Sequence, residues 1–123
     1  MRTGLRAALA ALAAVLLGAG CASGTAPTLV PGGDPARGKQ LIQRYGCGGC
    51  HVVSGVPGAH GRVGPSLKHF RSARFIAGRI ANSPENAIRW IHDPQAIEPG
   101  TIMPTLGVTT AEARDIVAYL YGH

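Results

Sequence analysis

The sequence predicts an all-α domain of three main helices whose connecting loops wrap a group that is not protein. Three observations predict it. Helix caps and 3.6-residue apolar periodicity mark three segments, and nowhere do apolar and polar residues alternate as in a half-buried strand. Residues 50–83, rich in Gly and Pro, form a longer irregular stretch than a compact domain usually leaves bare. Hydrophobic content is an ordinary 46% of the 123 residues but aromatics make up only 5%, so a unit of about 90 residues sits near the lower limit of independent stability. A large apolar cofactor would relieve that shortage.

The first helix opens at Asp34, a cap, with Pro35 at the preorganised first position, and runs through Leu41, Ile42 and Tyr45 to a stop at Gly46. The second opens at Ser83 and Pro84, carries Ala87, Ile88 and Ile91 on one face, and must end by Asp93 because Pro94 follows. The third is the best marked: Thr109 and Glu112 make a capping box, after which Ala113, Ile116, Val117 and Leu120 recur at helical spacing until Gly122. Between the first two, SARFIAGRIAN suits one short turn of helix.

Ahead of these helices the chain reads as an export signal and a tether. Arg2 and Arg6 form a charged start, and residues 7–20, AALAALAAVLLGAG, are a 14-residue apolar run too short to span a bilayer comfortably. The run ends in LLGAGC and resembles a bacterial lipoprotein signal, in which small residues precede a cysteine that receives lipid. That implies lipidation at Cys21, although Gly18 stands where such signals usually have Leu and Leu17 lies one place further back. The competing expectation is a soluble secreted protein cut near Ala22. ASGTAPTLVPGG has no periodicity and reads as a flexible coil of about a dozen residues, reaching roughly 20 Å. The expected organisation is a signal over 1–20, lipidated Cys21 and tether over 21–33, and the folded domain over 34–123.

Three cysteines are an odd count for an exported chain, where a stray thiol oxidises. Lipid on Cys21 removes one; the other two stand in YGCGGCH, with Cys47, Cys50 and His51 in one tight turn. A thioredoxin-like dithiol switch uses the same Cys spacing but follows a strand in a βαβ unit, of which there is no sign. Zinc would want a second Cys or His pair, and His60, His69, His92 and His123 form none at short spacing. Cys-x-x-Cys-His is the attachment signature of c-type haem: the thiols add across the two vinyl groups and the adjacent histidine is delivered to the iron. Met103 is the candidate for the sixth ligand; as plain core it would not need Pro99, Gly100 and Pro104 to pin the backbone around it.

GCGGCH, then VGPSL, then NSPENAIRWIHDPQAIEPGTIMP and EARDIVAYL together resemble a class I (mitochondrial-type) cytochrome c, and most of all the cytochrome c domain fused to subunit II of caa3-type cytochrome oxidases. The oxidase's copper-ligand motif and transmembrane pair are not in the sequence. The resemblance implies one covalent haem c, with Cys47 and Cys50 as thioether anchors, His51 as proximal and Met103 as distal ligand. It implies that the Pro65 carbonyl accepts the other ring N–H of His51, that Trp90 shapes the pocket beside the methionine, and that Gly38 and Tyr119 make the close contact between first and last helices. Arg79 and Thr101 are candidates for the haem propionates; the four remaining histidines are expected at the surface.

The formal charge is +6, and removing Arg2 and Arg6 with the signal leaves ten basic against six acidic side chains, net +4. The excess is local. Residues 62–89 hold Arg62, Lys68, Arg71, Arg74, Arg79 and Arg89 against Glu85 alone, a surface suited to an acidic docking site, with anionic lipid heads as the competing reading. Nucleic acid is not an expected partner of an exported chain. The expectation is therefore an extracytoplasmic or periplasmic, lipid-tethered single-electron carrier and not an enzyme, working between a quinol:cytochrome c reductase-like donor and a terminal oxidase-like acceptor. The alternative is a haem enzyme or a gas or redox sensor in which Met103 is displaceable.

Overall fold

The computed structural model describes residues 29–123; the signal and Cys21 expectations fall outside them. In chain order come α1 (Pro35–Arg44), 3-10 turns at Cys47–Gly49 and Phe70–Ser72, a small antiparallel hairpin of β1 (Phe75–Ile76) and β2 (Ile80–Ala81), then α2 (Pro84–His92), α3 (Pro94–Ile97) and α4 (Thr110–Gly122). The mostly helical architecture is that of the class I fold expected from the sequence.

Local chemistry explains the helix ends. The Asp34 carboxylate accepts the amides of Ala36 and Arg37 at 2.9 and 3.1 Å, the donors that a helix start leaves unpaired. Past α1, Gly46 takes φ +69°, a left-handed conformation that glycine adopts without a Cβ penalty. The α4 capping box is complete: Thr109 Oγ1 accepts the Glu112 amide at 3.2 Å, and Glu112 Oε2 accepts the Thr109 amide at 3.0 Å. The same oxygen accepts Tyr45 O–H at 2.9 Å, joining the end of α1 to the start of α4.

The α1–α4 crossing is close because Gly38 has no side chain; a Cβ there would collide with the Asp115 carbonyl. The nearest atoms to Gly38 are thus those of the Asp115–Ile116 backbone; Tyr119 packs in one buried cluster with Leu41 and Ile42 of α1, and its hydroxyl donates to the Ser54 carbonyl at 2.7 Å. Asp115 is buried but satisfied: Oδ1 accepts the Asp34 amide at 2.9 Å, and Oδ2 lies 3.5 Å from Arg37 Nε.

Two features differ from the sequence expectations. The SARFIAGRIAN stretch holds the hairpin, its helical turn lying earlier at Phe70–Ser72; Ala77 and Gly78 both take positive φ, and the Arg79 amide donates to the Ile76 carbonyl at 2.9 Å. Strands of two residues are too short for alternation to register. The second concerns the start of the packed structure. Val30 is only 1% exposed and lies in a cluster with Ile76, Ala87, Trp90, Val117, Ala118 and Tyr121, so packing begins four residues before Asp34.

A second buried cluster centres on Leu41, Ile42, Val53, Ile116 and Leu120. Phe70, Ile88 and Ile91 pack against both clusters yet stay only partly buried. Asn82 holds Phe70 in place, donating to its carbonyl at 2.6 Å and accepting Tyr121 O–H at 2.6 Å.

Candidate functional site

The turn after α1 places three reactive side chains together. The amides of Cys50 and His51 both donate to the Cys47 carbonyl, at 3.2 and 3.0 Å, so both thiols and the imidazole project from one tight bend. Neither Cys47 nor Cys50 is in a disulfide, and each is half-buried. Burial pushes the Cys47 thiol up from its ordinary value, chiefly by disfavouring the thiolate.

His51 is oriented by the loop that follows. Its Nδ1 lies 2.7 Å from the Pro65 carbonyl oxygen. A carbonyl only accepts, so Nδ1 carries the proton and Nε2 presents its lone pair. Gly64 fits against the Nδ1–Cε1–Nε2 edge of the ring: a Cβ there would collide with Cε1 and lie 2.7 Å from Nδ1 and 3.0 Å from Nε2. The loop cannot easily back away, because the Gly64 amide donates to the Cys50 carbonyl at 2.9 Å and the Gly61 amide to Gly48 at 3.0 Å. Gly64 was visible in VGPSL, but nothing in the sequence distinguishes a glycine required by a ring contact from an ordinary loop glycine.

Met103 belongs to the loop between α3 and α4. Its sulfur accepts the indole N–H of buried Trp90 at 3.1 Å, which satisfies the polar end of the only tryptophan in the chain. Gln95 was not singled out from the sequence. Its Nε2 donates to the carbonyls of Thr101 and Met103 at 2.8 and 2.9 Å, and its Oε1 accepts the Gly100 amide at 2.9 Å. Asp93 accepts Thr105 O–H at 3.0 Å, and His92 Nδ1 lies 2.6 Å from the Val108 carbonyl. His60, His69, His92 and His123 are all exposed, although His123 also meets the Tyr119 carbonyl, at 3.0 Å.

Arg79 reaches the structure already partnered: Nε and one terminal nitrogen approach Glu98 Oε1 at 3.0 and 2.9 Å. The half-buried Thr101 amide donates to the Glu98 carbonyl at 3.1 Å, which brings Arg79, Glu98 and Thr101 to one neighbourhood. All six basic residues within 62–89 are exposed.

This donor set fits a c-type haem: two unpaired thiols in one turn, an imidazole with a free Nε2, and a soft thioether on a separate loop. The apolar surroundings fit as well, because Leu67, Phe70, Ile88, Ile91, Ile97 and Met103 touch the core but are not covered by it. A zinc reading has no support among the described residues, which contain no cluster of three or more His, Cys, Asp or Glu side chains able to hold an ion.

Comparison with known proteins points the same way. A family model described as Cytochrome c matches residues 35–122. Cytochrome c oxidase subunit 2 of Alkalihalophilus pseudofirmus is 35% identical over 85 residues, covering 68% of this chain and 24% of that protein. Its counterpart in a Bacillus species (strain PS3) is 35% identical over 86 residues, 67% of this chain and 24% of that protein. The chain spans about a quarter of the length of these two relatives. Cytochrome c2 of Rhodopila globiformis is 33% identical over 102 residues, 73% of this chain and 93% of that protein. No solved structure matched the chain.

Proposed function

This chain belongs to the cytochrome c family, haem-based electron carriers with covalently bound c-type haem, and on that premise we propose that Cys47 and Cys50 are the thioether anchors, His51 the proximal ligand and Met103 the distal one. The observation that carries the assignment is the 2.7 Å contact from His51 Nδ1 to the Pro65 carbonyl, which leaves Nε2 free beside two unpaired thiols. When bound, the haem iron supplies a one-electron Fe(II)/Fe(III) couple.

The chain's own residues would favour that couple in three ways. Pro65 fixes the tautomer and orientation of His51 by accepting its N–H. Trp90 directs the thioether of Met103, and that soft sulfur favours the ferrous form relative to a second nitrogen ligand. Leu67, Phe70, Ile88 and Ile91 exclude water from the apolar faces. Thr101, and Arg79 balanced by Glu98, are the proposed neighbours of the propionates.

If His51 and Met103 both hold the iron, they would leave no side-chain-free position for a substrate, and the reading is a carrier and not an enzyme. The relatives named as oxidase subunits favour a terminal oxidase as acceptor and a quinol:cytochrome c reductase-like complex as donor, with the exposed Arg62, Lys68, Arg71, Arg74 and Arg89 facing acidic docking sites. The lipid anchor at Cys21, the tether and an extracytoplasmic location belong to the same proposal; mass spectrometry showing an unmodified N-terminus at Ala22 or Ser23 would remove the anchor and leave the haem assignment.

The deciding experiment is spectroscopic. The oxidised protein is expected to show the weak near-infrared-edge band of sulfur-ligated ferric haem and, reduced, to resist carbon monoxide, whereas Met103→Ala loses the band and binds carbon monoxide. A parent that lacks the band, or binds carbon monoxide as readily as the variant, would give the enzyme or sensor reading the lead.

A further inference from the structure

The loop that carries Met103 is poorly buried for a segment with a positioning task. Ile102 is 76% exposed and Leu106 42%, so the residues around the methionine contribute little apolar burial of their own. What holds the loop is a set of hydrogen bonds from one short segment. Gln95 takes the Gly100 amide and the carbonyls of Thr101 and Met103; Asp93 takes the Thr105 hydroxyl; His92 meets the Val108 carbonyl.

Gln95 is central because its amide makes three contacts, all to this loop. Its orientation is fixed by the partners: two carbonyls require the nitrogen and one N–H requires the oxygen, and a flipped amide would set oxygen against two carbonyls. The segment is itself anchored, since Asp93 Oδ1 accepts the Ala96 amide at 3.2 Å and Pro94 is buried. Gly100 takes φ +83°, the turn that brings its amide and the Thr101 and Met103 carbonyls to one side chain.

We propose that Gln95 is the positioning residue of the sixth ligand: it sets the backbone of Met103 before ligation, and displacement of the thioether requires its three hydrogen bonds to open. The inference rests on the reading of Met103 as the distal ligand. Preorganisation of this kind lowers the ordering cost of ligation and keeps external ligands out.

The test uses the ferric holoprotein with imidazole as the probe, the rate of ligand replacement being followed by stopped-flow absorbance. Each lost hydrogen bond is worth a factor of about five, so Gln95→Ala accelerates imidazole entry by about 100-fold. Gln95→Glu keeps the acceptor for Gly100, loses both donors and sets a carboxylate against two carbonyls, giving about 25-fold or more. Ser83→Ala, which removes the side chain accepting the Asn86 amide at 3.2 Å at the start of α2, lowers the melting temperature but leaves imidazole entry unchanged. Rates within twofold of the parent in the Gln95 variants, or equal acceleration by Ser83→Ala, would overturn the positioning role while the parent's sulfur-ligation band stands. A parent without that band would overturn the Met103 reading beneath it.

Discussion

Gly64→Ala tests the proximal geometry with a single methyl group. The added Cβ would collide with Cε1 of His51 and lie 2.7 Å from Nδ1 and 3.0 Å from Nε2, where carbon contacts ordinarily need about 3.5 Å. Because Cε1 is the nearest atom of all, relief requires a shift of about 1 Å. The loop resists, being held by the Gly64 amide on the Cys50 carbonyl at 2.9 Å, so the imidazole has to swing out of its 2.7 Å contact with Pro65. Losing that bond costs about 1 kcal/mol, and overpacking adds about 1–3 kcal/mol. For a domain of this size a loss of about 2–4 kcal/mol lowers the melting temperature by roughly 10–25 °C. Thermal unfolding of the holoprotein followed by circular dichroism measures it. Gly49→Ala, where a Cβ meets nothing within 4 Å, is the control and should stay within about 0.5 kcal/mol of the parent. A Gly64→Ala holoprotein melting within about 2 °C of the parent would refute the claim that the missing side chain seats the ring.

Trp90→Phe keeps a ring but removes the N–H that Met103 sulfur accepts at 3.1 Å; the fuller lone pair stabilises ferric iron, and voltammetry should find the potential lowered by roughly 20–40 mV, half to all of a hydrogen bond of about 1 kcal/mol. Cys47→Ala or Cys50→Ala should sharply reduce folded yield, because the partly covered Leu67, Phe70, Ile88 and Ile91 lose the group that covers them; native helix content and cooperative melting in protein lacking both thioethers would contradict this. Glu112, whose carboxyl is lowered from 4.5 to about 2, first by the Thr109 amide and then by the Thr109 and Tyr45 hydroxyls, contributes stability present above about pH 4.5 and lost as pH falls toward 2. Urea midpoints across that window should fall for the parent and stay flatter for Glu112→Gln; parallel curves would show that the carboxylate is not the group responsible.

The helices were legible in the sequence because caps and breakers are local chemistry. Asp34–Pro35, Ser83–Pro84 and Thr109 with Glu112 each declare a helix start within four residues, and Pro94 declares a stop. The two thiols and His51 were legible for the same reason: five residues hold the whole turn. What stayed hidden was either too short to be periodic or distant in sequence. The hairpin has two residues per strand. The partner of Gly38 lies 77 positions away, in the Asp115 carbonyl, and the packing of Val30 depends on Trp90 and Val117. Gln95 is close to Met103 in sequence, but an amide that bonds backbone groups leaves no pattern in residue types.

The two sides of the site are held by different means. On the proximal side, His51 follows directly from the cysteine turn, and Gly64 and Pro65 brace it through a loop bonded back to Gly48 and Cys50. On the other side, the exposed Met103 loop is held by hydrogen bonds with His92, Asp93, Gln95 and Trp90, the Asp93 carboxylate accepting from Thr105. Such bonds net only about 1 kcal/mol each, and segments held this way open locally at free energies below that of global unfolding. The sulfur side is therefore the one at which the site gives way. Since the turn bearing His51 shares none of these bonds, the Met103 loop can open while the imidazole, the thiols and the α1–α4 contact stay in place, and if Met103 is the distal ligand as proposed, its loss need not unfold the domain.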